Sequence, residues 1–204
     1  MGRLFIAGCS GHGKVVADIA LKQKKYECIL FLDDNPKNDI CMGIPVAGNS
    51  AYDGITLEDE IIVAIGNAAI RQRLQEQYSK KRLKIATLIH PDAVIGSGVE
   101  IGEGTVVMAG TVINPDAVIG KGVIINTGAT VDHDDKICDY AHISVGAHIA
   151  GTVTIGKGTW IGAGAVVSNN LEICDGVMVG AGAVVVGNID KQGTYAGVPA
   201  RKIK

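Results

Sequence analysis

The chain has 204 residues, enough for a globular domain followed by a repeat array, and 47% of them are hydrophobic, which excludes a mostly disordered protein. Its formal net charge of -2 gives no broad basic field for nucleic acid or anionic lipid, and the cluster Lys80, Lys81, Arg82 and Lys84 reads as the solvated end of a helix. No run of about 18 apolar residues is present and no signal-peptide pattern opens the chain, so a cytoplasmic protein without membrane insertion is expected.

From the N-terminus, Leu4–Ala7 reads as a short strand ending in Gly8-Cys9-Ser10-Gly11-His12-Gly13, and Val15, Val16, Ile19 and Ala20 follow at helical spacing. A second apolar run, Cys28–Leu32, ends in Asp33-Asp34, and a third, Ile61–Ile65, ends in Gly66-Asn67. Ala68–Ser79 reads as a helix and Leu83–Thr87 as a last strand. Strands alternating with helices predict a small Rossmann-like α/β domain over residues 1–88.

The turn Gly8–Gly13 places backbone N–H groups and a helix start where an anion could sit. Asp33 follows Gly13 at the distance where nucleotide-binding folds present a carboxylate to a ribose. The glycine order departs from GxGxxG, which argues against NAD, and a tight turn with no ligand remains the plain alternative.

Pro91 favours an extended residue before it and marks the change of pattern. Beyond it Ile95, Ile101, Val107, Ile113, Ile119, Ile125, Val131, Ile137, Ile143, Ile149, Ile155, Ile161, Val167, Ile173, Val179 and Val185 recur every sixth residue. Short strands joined by turns return one β-branched residue to an interior at this step, so residues 89–204 are expected to form a parallel β-solenoid with a C-terminal tail. Small residues four places after each aliphatic one suit an inward turn. Glycine one place after it, as in Ile95-Gly96 or Ile119-Gly120, is expected to supply backbone angles closed to other residues. Three hexads per coil and ~4.8 Å between strands give a column about 25 Å tall.

One hexad breaks the pattern. In Val131-Asp132-His133-Asp134-Asp135-Lys136 a carboxylate takes the small inward place. An imidazole beside carboxylates is the usual means of removing a proton near neutral pH, making His133 the candidate general base and Asp134 its orienting partner. An exposed corner with solvated side chains is the competing reading. Asn126, seven residues earlier, could approach a substrate or close a turn as a buried amide. His142 and His148 fall on neighbouring faces and cannot both join His133 in one compact site, so no metal is expected within one subunit. The five cysteines lack CxxC spacing and suggest neither disulfides nor zinc.

The [Ile/Val]-Gly-x-x-[small]-x repeat resembles that of the left-handed β-helix acyltransferases, and the closing Tyr195–Arg201 segment is similar to the one that follows their prism. With Gly8–Val16, Asp33-Asp34, Gly43-Ile44-Pro45-Val46 and His133-Asp134 in one order, the whole chain resembles the sugar O-/N-acyltransferases that include sialic-acid O-acetyltransferases and the UDP-4-amino-sugar N-acetyltransferases of bacillosamine biosynthesis. The resemblance implies a left-handed prism, a homotrimer with sites between subunits, acetyl-CoA as acyl donor and a UDP-linked amino sugar as acceptor. It implies nucleotide contacts at Gly11, His12, Gly13, Asp33 and Asp34 and a substrate contact at Asn126. It further implies His133 as base, Asp134 as its acidic partner where related enzymes often have Glu, and His142 with Gly151 near the thioester carbonyl. N-acetylation of the 4-amino group is the leading expectation. O-acetylation of a sugar and a non-catalytic nucleotide-sugar-binding trimeric scaffold are the alternatives.

Overall fold

A computed structural model describes residues 2–204, which divide into two compact units, 2–91 and Asp92–Lys204, three residues beyond the boundary read from the sequence.

In the N-terminal unit, β1 (Arg3–Ala7), α1 (Gly11–Gln23), β2 (Cys28–Leu32), β3 (Ile40–Cys41), β4 (Ile44–Gly48), β5 (Glu60–Val63), α2 (Ala68–Lys80) and β6 (Lys84–Ile85) follow in order. The sheet order is β3-β4-β2-β1-β5-β6, parallel except at the β3–β4 hairpin. Its central strands read as continuous apolar runs because both faces are covered. Phe5, Ala7, Leu32, Ile61 and Val63 pack with Leu74 and Tyr78 of α2. The hairpin has no counterpart among the expected elements. It turns on Met42-Gly43, both with positive φ (54° and 77°), and a methionine in that first place carries none of the Asn-Gly or Asp-Gly signal that marks such turns. α2 starts at Asn67, whose side chain accepts the Ile70 N–H. Arg71, fully buried, donates through Nη1 to the Ile65 and Gly66 carbonyls at 2.8 Å each and so fixes the loop that precedes the helix.

The C-terminal unit is a left-handed parallel β-helix of hexapeptide repeats. Two-residue strands stack in three sheets, one per face of a prism. The first face carries Val106, Ile124, His142, Trp160 and Met178 in register, the second Val112, Thr130, His148, Val166 and Val184, and the third Glu100, Val118, Lys136, Thr154 and Glu172. Aliphatic residues of the six-step register are buried from Val107 to Val185, while Ile95 in the end coil is open to solvent. Strand Thr194–Ala196 extends the first face, and Arg201–Lys202 pairs with it antiparallel.

The glycines one place after the aliphatic residue do not serve as expected. Their φ values are not positive; the left-handed residue lies two places later, as at Gly98, Gly122 and Gly164. Glycine is needed at the earlier place for room, since a Cβ on Gly102 would lie 2.6 Å from the Gly120 carbonyl carbon in the next coil.

Candidate active site

At the corner between the second and third faces, His133 and Asp134 form the outer turn after strand Thr130–Val131. His133 Nδ1 lies 2.7 Å from Asp134 Oδ2, and both side chains are 59% exposed. Asp134 occupies the left-handed place of its hexad with φ 58°, where most hexads carry glycine. Asp is among the few other residues that tolerate this conformation. A hydrogen bond from His133 to Asp134 raises the imidazole pKa above its ordinary value, with smaller contributions from the charges of Asp132, Asp134 and Asp135. With Nδ1 held by Asp134, Nε2 is the ring atom left for a reacting proton.

Gly151 occupies the same corner one coil further on. A Cβ there would stand 2.7 Å from His133 Nε2, so its lack of a side chain is what leaves that nitrogen its space. The His133 carbonyl accepts the Thr152 N–H at 3.0 Å, tying this turn to its neighbour. On the other side, Asp132 Oδ1 accepts the His133 N–H at 2.8 Å and Asn114 Nδ2 at 2.6 Å. Those bonds hold the Asp132 carboxyl below its usual range.

Asn126 and His142 form a second cluster on the first face and its following corner. Asn126 Oδ1 accepts the Thr127 N–H at 2.8 Å, which fixes the amide orientation and turns Nδ2 toward His142 Nε2 at 3.2 Å. His142 Nε2 is therefore an acceptor and its hydrogen sits on Nδ1. The ring stacks against Trp160 with centroids 4.6 Å apart, and Trp160 Nε1 donates to Ser144 Oγ at 2.6 Å. His148 lies on the second face beside Thr130 Oγ1, 2.9 Å away. Thus His133, Asp134 and Gly151 come together, Asn126 and His142 come together, and the two clusters occupy different corners of the same prism.

In the N-terminal unit, the turn after β1 meets the end of β2. Asp33 Oδ2 accepts the Cys9 N–H at 2.7 Å and Oδ1 accepts the Asn35 N–H at 2.9 Å, so this carboxylate is engaged by the chain's own backbone. Asp34 is exposed, and its Oδ1 accepts the Ser50 N–H at 2.8 Å, which lowers its pKa. α1 starts at Gly11 with no cap bond from the Ser10 side chain. A Cβ on Gly13 would collide with the Gly8 carbonyl, so the helix enters tightly over the end of β1. His12 is held neutral: desolvation, aided by the Arg71 charge, pushes its pKa down to about 4, and its buried Nε2 has no hydrogen-bond partner among the described residues.

Sequence reasoning passed over Asn114, Asp132, Ser144 and Trp160. Three-hexad spacing could have found them, since residues 18 apart, such as Asn114 and Asp132, are stacked on successive coils. Among the described residues no group of three or more His, Cys, Asp or Glu side chains is placed to hold a metal ion, and no helix is long and apolar enough to cross a membrane.

Residues 3–78 match the PglD N-terminal domain, and residues 98–133 and 152–187 match the bacterial transferase hexapeptide repeat. The acetyltransferase domain of PglB from Neisseria gonorrhoeae FA1090 superposes with a TM-score of 0.97 at 40% identity over 100% of both chains. The GDP-perosamine N-acetyltransferase of Escherichia coli O157:H7 is 30% identical over 72% of this chain and 70% of its own. The chain belongs to this family of hexapeptide-repeat amino-sugar acetyltransferases. The UDP-N-acetylbacillosamine N-acetyltransferase of Bacillus subtilis (strain 168) is 37% identical over 53% of this chain, a match that spans about half of that protein, 52%. A variant of perosamine N-acetyltransferase from Caulobacter crescentus, solved with CoA and GDP-perosamine, superposes with a TM-score of 0.93 at 33% identity over 100% of this chain and 98% of its own.

Proposed function

We propose that the chain transfers an acetyl group from acetyl-CoA to the 4-amino group of a UDP-linked amino sugar, with His133 as general base. The observation that carries this reading is the Nδ1 pairing of His133 with Asp134 on a prism corner where Gly151 keeps Nε2 clear. An amine that arrives as ammonium first loses one proton to solvent, which frees the lone pair that attacks. His133 Nε2 accepts a proton from the amine as its nitrogen bonds to the thioester carbonyl carbon, and the tetrahedral intermediate then collapses with loss of the CoA thiolate. The imidazolium returns the proton to that sulfur. Asp134 keeps the hydrogen of the neutral ring on Nδ1 and stabilises the charged ring that follows.

The family resemblance puts His142 near the thioester carbonyl, and Asn126 Nδ2 sets its tautomer, with the ring hydrogen on a buried Nδ1. Because its cluster and the His133 cluster lie on different corners, a complete site forms between two prisms. A homotrimer gives each base a neighbouring first face, and an active monomer by sedimentation would contradict this arrangement. The start of α1 at Gly11, His12 and Gly13 supplies N–H groups for the diphosphate, the half-buried neutral His12 borders it, and Asp34 faces solvent for a nucleoside hydroxyl or base. Asp33 supports that surface by fastening the Cys9 turn. An acetyl-CoA donor is what supports a cytoplasmic location for the reaction. The bacillosamine-type substrate draws on the Bacillus relative, and the relatives named for GDP-perosamine support the same reaction on a different nucleotide.

The test is His133→Gln with a UDP-4-amino sugar and acetyl-CoA. Loss of a general base lowers kcat by about 10²- to 10⁴-fold while acetyl-CoA affinity changes little; unchanged turnover removes His133 from this role.

A further inference from the structure

The break in the repeat at Asp135 has a definite structural effect. Along the prism, the N–H of the residue after each inward aliphatic side chain donates to the aliphatic carbonyl one coil on, as from Asn114 to Val131 at 2.9 Å, Cys138 to Ile155 at 2.9 Å and Ala150 to Val167 at 3.0 Å. At Asp132 the N–H turns inward and donates to Asp135 Oδ2 at 2.9 Å. Asp135 Oδ1 accepts the Val153 N–H at 2.8 Å. That second bond is ordinary for this fold: Thr105 Oγ1 accepts the Val123 N–H at 3.0 Å and Thr159 Oγ1 the Val177 N–H at 3.1 Å from the same inward place. The bond to Asp132 is what the carboxylate adds.

We propose that Asp135 is a positioning residue for His133, drawing the Asp132 N–H out of the inter-coil ladder and thereby setting the turn that carries the base. The proposal rests on the reading of His133 as general base. Asp135 is 1% exposed, inside the prism and closed to the surface. Its hold on Asp132 reaches His133 through the next bond, since the Asp132 carboxylate accepts the His133 N–H and is itself held by Asn114 Nδ2. The turn is thus fixed from inside the prism by Asp135 and from the preceding coil by Asn114. A carboxylate in this interior is costly, because burial outweighs its two N–H bonds and pushes its pKa up to about 7. A threonine or alanine would fill the place without that cost, as they do elsewhere in the repeat, so stability does not account for the aspartate.

Asp135→Thr separates the two roles, because threonine retains the bond to Val153 and loses the bond to Asp132; Asp135→Ala serves if that variant does not fold. The expected result is a fall in kcat of about 10- to 100-fold, with KM for acetyl-CoA within about twofold of the wild type. In the His133→Gln background the same substitution has no further effect on kcat, as expected of a residue acting through His133. In the intact enzyme the His133 Nδ1–H, read by NMR, exchanges faster with water as the Asp134 pairing loosens; the titration midpoint does not serve here, because the Asp135 charge itself raises the His133 pKa. Wild-type kcat and an unchanged Nδ1–H exchange rate overturn the proposal, and so does an equal loss of kcat in both backgrounds. If His133→Gln turns over like the wild type, the base reading falls by itself, and the exchange rate alone decides: faster exchange supports the positioning role and an unchanged rate overturns it.

Discussion

His133 Nδ1 and Asp134 Oδ2 lie 2.7 Å apart although the residues are adjacent in sequence. Consecutive side chains in a strand point to opposite faces, so this pairing depends on the left-handed turn conformation of Asp134. The same conformation lets the short aspartate side chain reach the ring.

The pairing predicts a pH dependence. The Asp134 hydrogen bond is the largest cause of the raised His133 pKa, so kcat/KM rises with pH through a midpoint above the usual histidine value. Asp134→Asn removes the charge and moves that limb to lower pH while lowering the plateau. A pH–rate profile unchanged by the substitution would falsify the assignment of the limb to this pair.

Gly151→Ala tests the space beside His133. Its Cβ would meet His133 Nε2 at 2.7 Å, and the exposed ring is the part able to yield. We expect a fold that melts within a few degrees of the wild type and a kcat reduced by about 10²-fold through misplacement of the ring. Normal turnover in a well-folded variant would mean that Nε2 does not need that space.

Most of this architecture was legible in the sequence because a six-residue step admits few folds. The helix α2 and the strands β1, β2 and β5 lie within one or two residues of their expected limits, and α1 contains the Val15–Ala20 run read as helical. The β3–β4 hairpin was hidden by its Met42-Gly43 turn. At the polar hexad, the departure from pattern pointed to the corner where His133 and Asp134 pair for an indirect reason: Asp135, the residue that breaks the rule, faces inward and is bound by backbone, while His133 and Asp134 sit in the outer turn, on which the inward rule places no demand. The link from Asn114 to Asp132 went unread because it joins residues 18 apart on successive coils, whereas the hexad pattern marks only which way each side chain points.

His12 gives a prediction for the N-terminal unit. Its pKa near 4 leaves it neutral across the physiological range, so nucleotide-sugar binding between pH 6 and 8 shows no histidine-like step from this group. His12→Ala raises KM for the nucleotide sugar by about tenfold, the loss of one or two kcal/mol of polar contact, and leaves acetyl-CoA binding alone. Calorimetric titration with UDP checks this, and unaltered UDP affinity contradicts it.

Asp135 also predicts how stability varies with pH. Its folded pKa of about 7 lies above the unfolded value, so the folded state binds more protons between the two. Its contribution is full below about pH 4, is lost as pH rises to about 7, and is level beyond. The melting temperature of Asp135→Thr relative to wild type therefore climbs across that window and then holds steady. A constant difference from pH 4 to 8 would show that the carboxyl is not shifted.

The most direct measurement of the central claim is CoA release, with mass analysis of the product, across UDP-4-amino sugars, GDP-4-amino sugars and sialic acids. The account predicts acetyl-CoA-dependent gain of one acetyl group on the amine of a UDP-4-amino sugar, abolished by blocking that amine. Acetylation confined to sugar hydroxyls, or no transfer to any amino sugar, would contradict it.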